Sequence, residues 1–184
     1  MVYRTKLPDT ASAVNSKDGE RLFSASAERN STPIINVVKR IVPNSGEALE
    51  IASGTGQHIA KLAFSLPNLS WSPSEVERER LKSISAWIEE ENLPNIKAPI
   101  QLDATEPGWA KSLPQYDFVL LVNLLHLISW NETKTLIGEL SKSLKKNGIT
   151  FIYGPFLRNG KLTSEGDKSF HNSLIQTDPD IGYK

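Results

Sequence analysis

Leu49-Glu50-Ile51-Ala52-Ser53-Gly54-Thr55-Gly56-Gln57-His58 joins an apolar run to a helical pattern through an acid and two glycines. Ala48 to Ala52 predicts a buried strand, and Ile59, Leu62, Ala63 and Leu66 recur at helical spacing until Pro67-Asn68 stop them. Two glycines one residue apart open dihedrals closed to other residues and let a ligand approach the main chain. The helix that follows begins with unpaired N–H groups, which suit an anionic or polar ligand. The dinucleotide fingerprint places a further Gly or Ala three residues after the second glycine, where the helix meets a pyrophosphate. Ile59 holds that position here, so a nicotinamide or flavin dinucleotide is the weaker reading and a ligand without a pyrophosphate the better one.

Outward from this stretch the chain alternates strands and helices. Before it, Ala27, Pro33, Ile34, Val37, Val38 and Ile41 predict a helix, closed by Pro43-Asn44-Ser45-Gly46. Glu28-Arg29-Asn30 stand just ahead of its regular part, either reaching back over the glycine turn or forming a solvated helix end. After it, Leu69 to Glu75 reads as a second strand ending in an acid, about twenty residues past the glycines as the ribose-binding position requires. Glu75 is equally suited to the N-terminal dipole of the next helix, where Ser74 and Glu77 have capping-box spacing; the two roles are compatible. That helix turns Leu81, Ile84 and Ile88 inward. Ile96 to Leu102 predicts a third strand followed by Asp103, so Glu50, Glu75 and Asp103 all gather at one edge of the expected sheet.

Phe118 to Val122 is an uninterrupted apolar run suited to a central parallel strand, and Asn123 follows it beside the glycine turn. Ser129 with Glu132 forms a second capping box. It opens a helix that faces Leu136, Ile137, Leu140 and Leu144 to the sheet and stops at Asn147-Gly148. Ile149 to Tyr153 is a fifth strand, Asn159-Gly160 a tight turn, Ser164 onward a helix, and Asp178-Pro179 a candidate start of another. The order βαβα predicts a doubly wound, Rossmann-like α/β domain over 23–184 with about five parallel strands, preceded by a loose polar segment, 1–22.

Bulk properties narrow the function classes. At 184 residues, 39% hydrophobic and 23% charged, the chain has the composition of one globular domain. Lys+Arg and Asp+Glu are both 21, so no bulk field attracts nucleic acid or an anionic membrane, and a small-molecule partner is favoured. There is no cysteine, hence no thiolate nucleophile or Cys-based zinc site, and three isolated histidines do not space a metal site. No apolar run reaches membrane-spanning length and none at the start resembles a leader, which reads as a cytoplasmic protein.

The glycine motif resembles the first motif of class I S-adenosylmethionine-dependent methyltransferases. Ala27-Glu28-Arg29-Asn30 with Pro33-Ile34, Trp71 to Glu75, Leu102-Asp103, Asn123 with His126 and Trp130, and Tyr153-Gly154-Pro155-Phe156 extend the resemblance to the methyltransferase-like protein 26 family. The resemblance implies S-adenosylmethionine as cofactor. Glu50, Ala52, Gly54 and Gly56 would hold its methionine part, Glu75 the ribose, Asp103 the adenine amino group, and Asn123 the methionine end. Arg29 and Asn30 are candidates for its carboxylate.

Methyl transfer needs positioning more than a protein nucleophile. His126, whose ordinary pKa lies near neutrality, is the candidate to take the acceptor's proton; ordering its own loop is the other role open to it. His58 reads as structural or cofactor-lining and His171 as a surface residue. Class I enzymes continue past the fifth strand with an antiparallel hairpin that this chain lacks. The fifth strand is therefore expected to be an open edge that self-associates, unless Pro155 to Ile175 folds over it. That absence favours the alternative function, a non-catalytic methyltransferase-like domain that binds a partner.

Overall fold

The computed structural model describes residues 14–184. Its first element is an antiparallel hairpin of β1 (Ser16–Asp18) and β2 (Arg21–Phe23). The expected loose segment is thus ordered in its later part; residues 1–13 lie outside the described ones. The hairpin is fixed by partners distant in sequence. The Arg21 guanidinium lies 4.9 Å from the Trp87 ring and 3.0 Å from Glu90, and the Leu22 N–H donates to Ser83 Oγ at 2.8 Å.

Helix α1 (Ala25–Ile41) starts at the cap Ser24, whose hydroxyl accepts from Ala27 N–H, and buries Ala27, Ile34 and Val38 as the periodicity predicts, with Ile35 buried beside them and Val37 exposed. The chain then alternates: β3 (Gly46–Ile51), α2 (Gln57–Ser65), β4 (Leu69–Glu75), α3 (Arg78–Glu90), β5 (Ile100–Gln101), β6 (Tyr116–Val122), α4 (Trp130–Ser143), β7 (Leu144–Tyr153) and α5 (Glu165–Thr177). Short 3-10 turns stand at Trp109–Ser112 and Leu125–Leu127.

The five strands of the main sheet are all parallel, in the order β5-β4-β3-β6-β7, with the glycine strand at the centre. Ala48 lies opposite both Trp71 and Phe118. Alternation along the strands sends Ala48, Phe118, Leu120 and Val122 into one core beside Ile34, Ile59 and Ile84, and Leu49, Ile51, Val119 and Leu121 into another beside Leu136 and Leu140. Helices therefore cover both faces, as the doubly wound reading expects.

Several local expectations are corrected. The third strand pairs only at Ile100–Gln101, apart from an isolated bridge between Ile96 and Trp71. Ser74 does not cap α3: its hydroxyl donates to the Glu50 carbonyl, and Glu77 stands at the cap without a side-chain capping bond. The buried face of α3 is Arg80, Ser83, Ile84 and Trp87, leaving Leu81 and Ile88 at its border. On α4, Leu136 and Leu140 are buried, Ile137 is exposed, and the Ser129–Glu132 capping box is present. The helix ends at Ser143, and Asn147, at φ +66°, sits in the irregular start of β7. Asp178-Pro179 forms a turn that returns the tail to the sheet end, where Ile181 and Tyr183 pack with Leu127 and Leu174. That cluster does not extend the sheet. Among the described residues no strand pairs with the free side of β7, and Ile149 and Tyr153 are exposed. No described helix is long and apolar enough to cross a membrane.

The two motif glycines do different work. Gly56 has φ +93°, and a Cβ there would stand 3.0 Å from Trp87 and 3.1 Å from the Ile84 backbone; Gly54 has φ +59° and no neighbour closer than 3.6 Å. Gly56→Ala should cost roughly 2–4 kcal/mol, the sum of left-handed strain and overpacking, and Gly54→Ala only about 1–2 kcal/mol. Urea unfolding of both variants checks this, and equal losses would contradict the packing role of Gly56.

Candidate functional site

At the carboxyl ends of β3, β4 and β6 the strands give way to three loops that enclose a groove, the usual ligand position in an open α/β sheet. One half of the groove is polar, lined by the start of α1, the turn Ser53-Gly54-Thr55, His58, Arg80 and Asn123. The other half is mainly apolar, lined by Val76, Leu102, Ala104, Ile128 and their neighbours, with Asp103 among them. Ala52, Glu75, Leu124 and Leu127 belong to both halves, so the two adjoin and Glu75 stands where they meet.

Glu75 holds the loops together. Its Oε2 accepts from Gly54 N–H at 2.8 Å and its Oε1 from Val76 N–H at 2.7 Å. Burial raises its pKa, opposed by the nearby Arg80 charge and these backbone donors. The carboxylate thus binds the start of α3, as the dipole reading expects, while facing the groove. Asp103 forms a local turn, accepting from Thr105 N–H at 2.8 Å and from its hydroxyl at 2.6 Å. Ala52 and Asn123 both line the polar half in left-handed conformations, at φ +53° and +57°. Strain of that kind persists only where surrounding structure imposes it; Asn123 N–H donates to the Tyr153 carbonyl at 2.8 Å.

Other expected site residues lie elsewhere. Glu50 is buried beneath the turn and does not line the groove; its Oε2 has no hydrogen-bond partner among the described residues. Gly56 is buried under α3. Arg29 is on the exposed side of α1, and Asn30 faces His58, its Oδ1 2.7 Å from the imidazole Nε2. Glu28 also reaches the motif helix, accepting from Gln57 Nε2 at 3.2 Å and Lys61 Nζ at 2.6 Å.

His126 is a clear correction. Its ring is buried against Phe170 and Tyr183, outside both halves of the groove. Desolvation, followed by the Lys184 charge, lowers its pKa to about 4, well away from neutrality. Its backbone carbonyl accepts from Gly182 N–H at 3.0 Å, so the residue joins loop and tail. His171, expected at the surface, serves the same tail: its Nδ1 accepts from Tyr183 N–H at 3.0 Å. Of the aromatic residues, Trp71 and Trp109 are core, while Trp130, Tyr153 and Phe156 are exposed.

Two groove residues escape the sequence reading. Ser24 lines the polar half, and its N–H donates to Gln57 Oε1 at 2.6 Å, which draws α1 onto the motif helix. Arg80 is 8% exposed and lines the same half. Its signal is its spacing: Arg80, Ile84 and Trp87 fall on one helical face, so a charge stands where the pattern calls for core. Among the described residues no group of three or more His, Cys, Asp or Glu is arranged to hold a metal ion.

A family model described as "Protein of unknown function (DUF938)" matches residues 21–184. The chain belongs to this family. The match runs from β2 through α5, so the groove of this DUF938 chain, with all its lining loops, falls within the family's extent. Its solved structural likenesses are distant in sequence. A putative O-methyltransferase from Nostoc punctiforme PCC 73102 is 19% identical with a TM-score of 0.73, covering 86% of this chain and 46% of that one. An O-methyltransferase family protein from Burkholderia thailandensis is 17% identical at 0.70, covering 86% and 48%. Human N-acetylserotonin methyltransferase is 14% identical at 0.67, covering 86% and 43%. These likenesses establish the Rossmann-like fold, and the DUF938 chain spans just under half the length of each protein.

The buried titratable groups give the stability of the domain two opposed pH dependences. Burial raises Glu50 to about 8 from 4.5, so between those values the folded chain holds a proton the unfolded chain has lost, and stability falls as pH rises. His58 and His126 are each lowered to about 4 from 6.5, so their contribution is present above 6.5 and is lost as pH falls toward 4. Glu50→Gln should therefore be more stable than the parent at pH 8 and lose the alkaline decline, measured by urea unfolding between pH 5 and 9. An unchanged decline would mean that Glu50 is ionised in the folded chain.

Proposed function

We propose that this domain is an S-adenosylmethionine-dependent methyltransferase acting on a small-molecule acceptor. The observation that carries this reading is the division of the groove into a polar half and an apolar half that meet at a carboxylate. S-adenosylmethionine has the same three parts in the same order: a zwitterionic amino acid, a ribose diol and an adenine. The Gly54 turn and Asn123 line the half suited to the amino acid. Glu75 has lone pairs left to accept ribose hydroxyls beside the three backbone N–H groups it already binds. Asp103 lines the half suited to adenine, where its Oδ2, outside the Thr105 turn, would take an amino group. Glu50, beneath the turn with its Oε2 without a partner among the described residues, would be drawn toward ionisation by the positive charge of the amino-acid end. Solved likenesses support the reading: the human N-acetylserotonin methyltransferase structure holds S-adenosylmethionine, and that of coclaurine N-methyltransferase holds S-adenosylhomocysteine. Within the methyltransferases, the resemblance to the methyltransferase-like protein 26 family is the finer placement we favour.

Such a cofactor supplies an electrophilic methyl group that an acceptor lone pair displaces in line, with the thioether leaving. The chain's part is positioning. Ala52 and Asn123 hold fixed, strained backbone at the junction of the loops, and Leu124 and Leu127 exclude water from it. His126 contributes by fixing the Leu124–Ile128 loop to the tail.

Calorimetric titration of S-adenosylhomocysteine tests the reading. Micromolar binding, worth about 8 kcal/mol, is expected for the parent chain. Gly54→Asp, which sets a second carboxylate beside Glu75, should abolish it. No binding by a folded parent would move the function to a non-catalytic domain that binds a partner.

We further propose that the domain self-associates through the free side of β7, where Ile149 and Tyr153 are exposed. Sedimentation velocity over a concentration series should show reversible dimers, and a monomer at all concentrations would overturn this.

A further inference from the structure

Resting on the cofactor reading above, we propose that Arg80 is the carboxylate-binding group of the polar half, gripping the α-carboxylate of the methionyl end of S-adenosylmethionine. Arg29 and Asn30, the candidates of the sequence, do not line the groove. Among the described residues that line the polar half, Arg80 is the one with a permanent positive charge.

Its geometry singles it out. The side chain is 9% exposed, and its Nε donates to Glu77 Oε2 at 3.1 Å. The two terminal nitrogens have no hydrogen-bond partner among the described residues, and Nη1 lies 3.6 Å from the point a Gly54 Cβ would occupy. The guanidinium therefore hangs over the glycine turn with the N–H donors of both terminal nitrogens unused. A planar carboxylate taking two parallel N–H bonds is the group that matches those free terminal nitrogens best.

The surroundings favour the same charge. The N-terminus of α1, a helix of 17 residues, opens into this half, where the Ser24 and Ser26 hydroxyls bond each other at 2.8 Å and leave one O–H to donate. Glu75 meets the same turn, taking Gly54 N–H at 2.8 Å, so Arg80 stands between the carboxylate assigned to the ribose and the mouth of α1. The bond from Arg80 to Glu77 fixes the guanidinium plane before ligand arrives, which lowers the ordering cost of binding.

The test compares two ligands on two proteins. S-adenosylhomocysteine carries the carboxylate; 5′-methylthioadenosine has the same adenosine and thioether without the amino acid. Arg80→Met should weaken S-adenosylhomocysteine about 10- to 100-fold, the usual loss for a charge-assisted pair, and leave 5′-methylthioadenosine unchanged. Arg80→Lys, which keeps the charge and loses the fork, should fall between. Equal loss of both ligands would make Arg80 a support for the glycine turn and overturn the proposal. Unchanged S-adenosylhomocysteine binding would overturn it as well. A parent chain that binds neither ligand would instead remove the cofactor reading on which it rests.

Discussion

The hydrogen bond from Gly54 N–H to the Glu75 carboxylate is the constraint from which the groove follows. It joins the turn after β3 to the end of β4, next to the Ser53 N–H bond to the Ser74 carbonyl that continues the strand pairing. Because the carboxylate also takes Val76 N–H, the same group sets where α3 begins. The position of α3 then fixes Arg80 above the turn and brings Ile84 and Trp87 against Gly56. A carboxylate in that place is expensive, as its raised pKa records, and the backbone donors and the Arg80 charge offset much of the burial cost. One buried acid thus links loop geometry, helix placement and groove electrostatics.

Much of this was legible in the residues because it rests on local rules. Strand β4 spans Leu69 to Glu75 as expected since it is bounded by Pro67-Asn68 and by an acid, and β6 is an unbroken apolar run that only a central strand can bury. The capping box at Ser129–Glu132 is decided within four residues and is present. At Ser74 the same rule failed because a tertiary partner, the Glu50 carbonyl, competes for the hydroxyl. The hairpin at 16–23 was not legible: its strands are three residues each, and its anchors Ser83, Trp87 and Glu90 lie far along the chain.

The groove shows the same division. Residues at strand ends, Glu75, Asp103 and Asn123, were found because topology alone brings strand ends together. Residues whose placement depends on which way a helix face turns were misjudged or missed. Arg29 and Arg80 are both helix arginines, and only packing decides that the first meets solvent and the second the groove. His126 illustrates the limit for chemistry: its position in sequence suggests a base, and the aromatic shell built by Phe170 and Tyr183 removes it from titration near neutrality.

The hairpin and the first turn of α1 form a wall of the polar half without belonging to the sheet. Their attachments are the Leu22 bonds to Ser83 and Trp87, the Ser24 bond to Gln57, and the Arg21 guanidinium stacked on Trp87. All of these fasten to α2 and α3, and none to a strand. Phe23 adds apolar packing against the core beside Trp87, so detaching the wall would cost that burial as well as these bonds, while the parallel sheet keeps its register. A ligand seated behind it has an exit whose barrier is set by that local detachment, independently of the global stability of the fold.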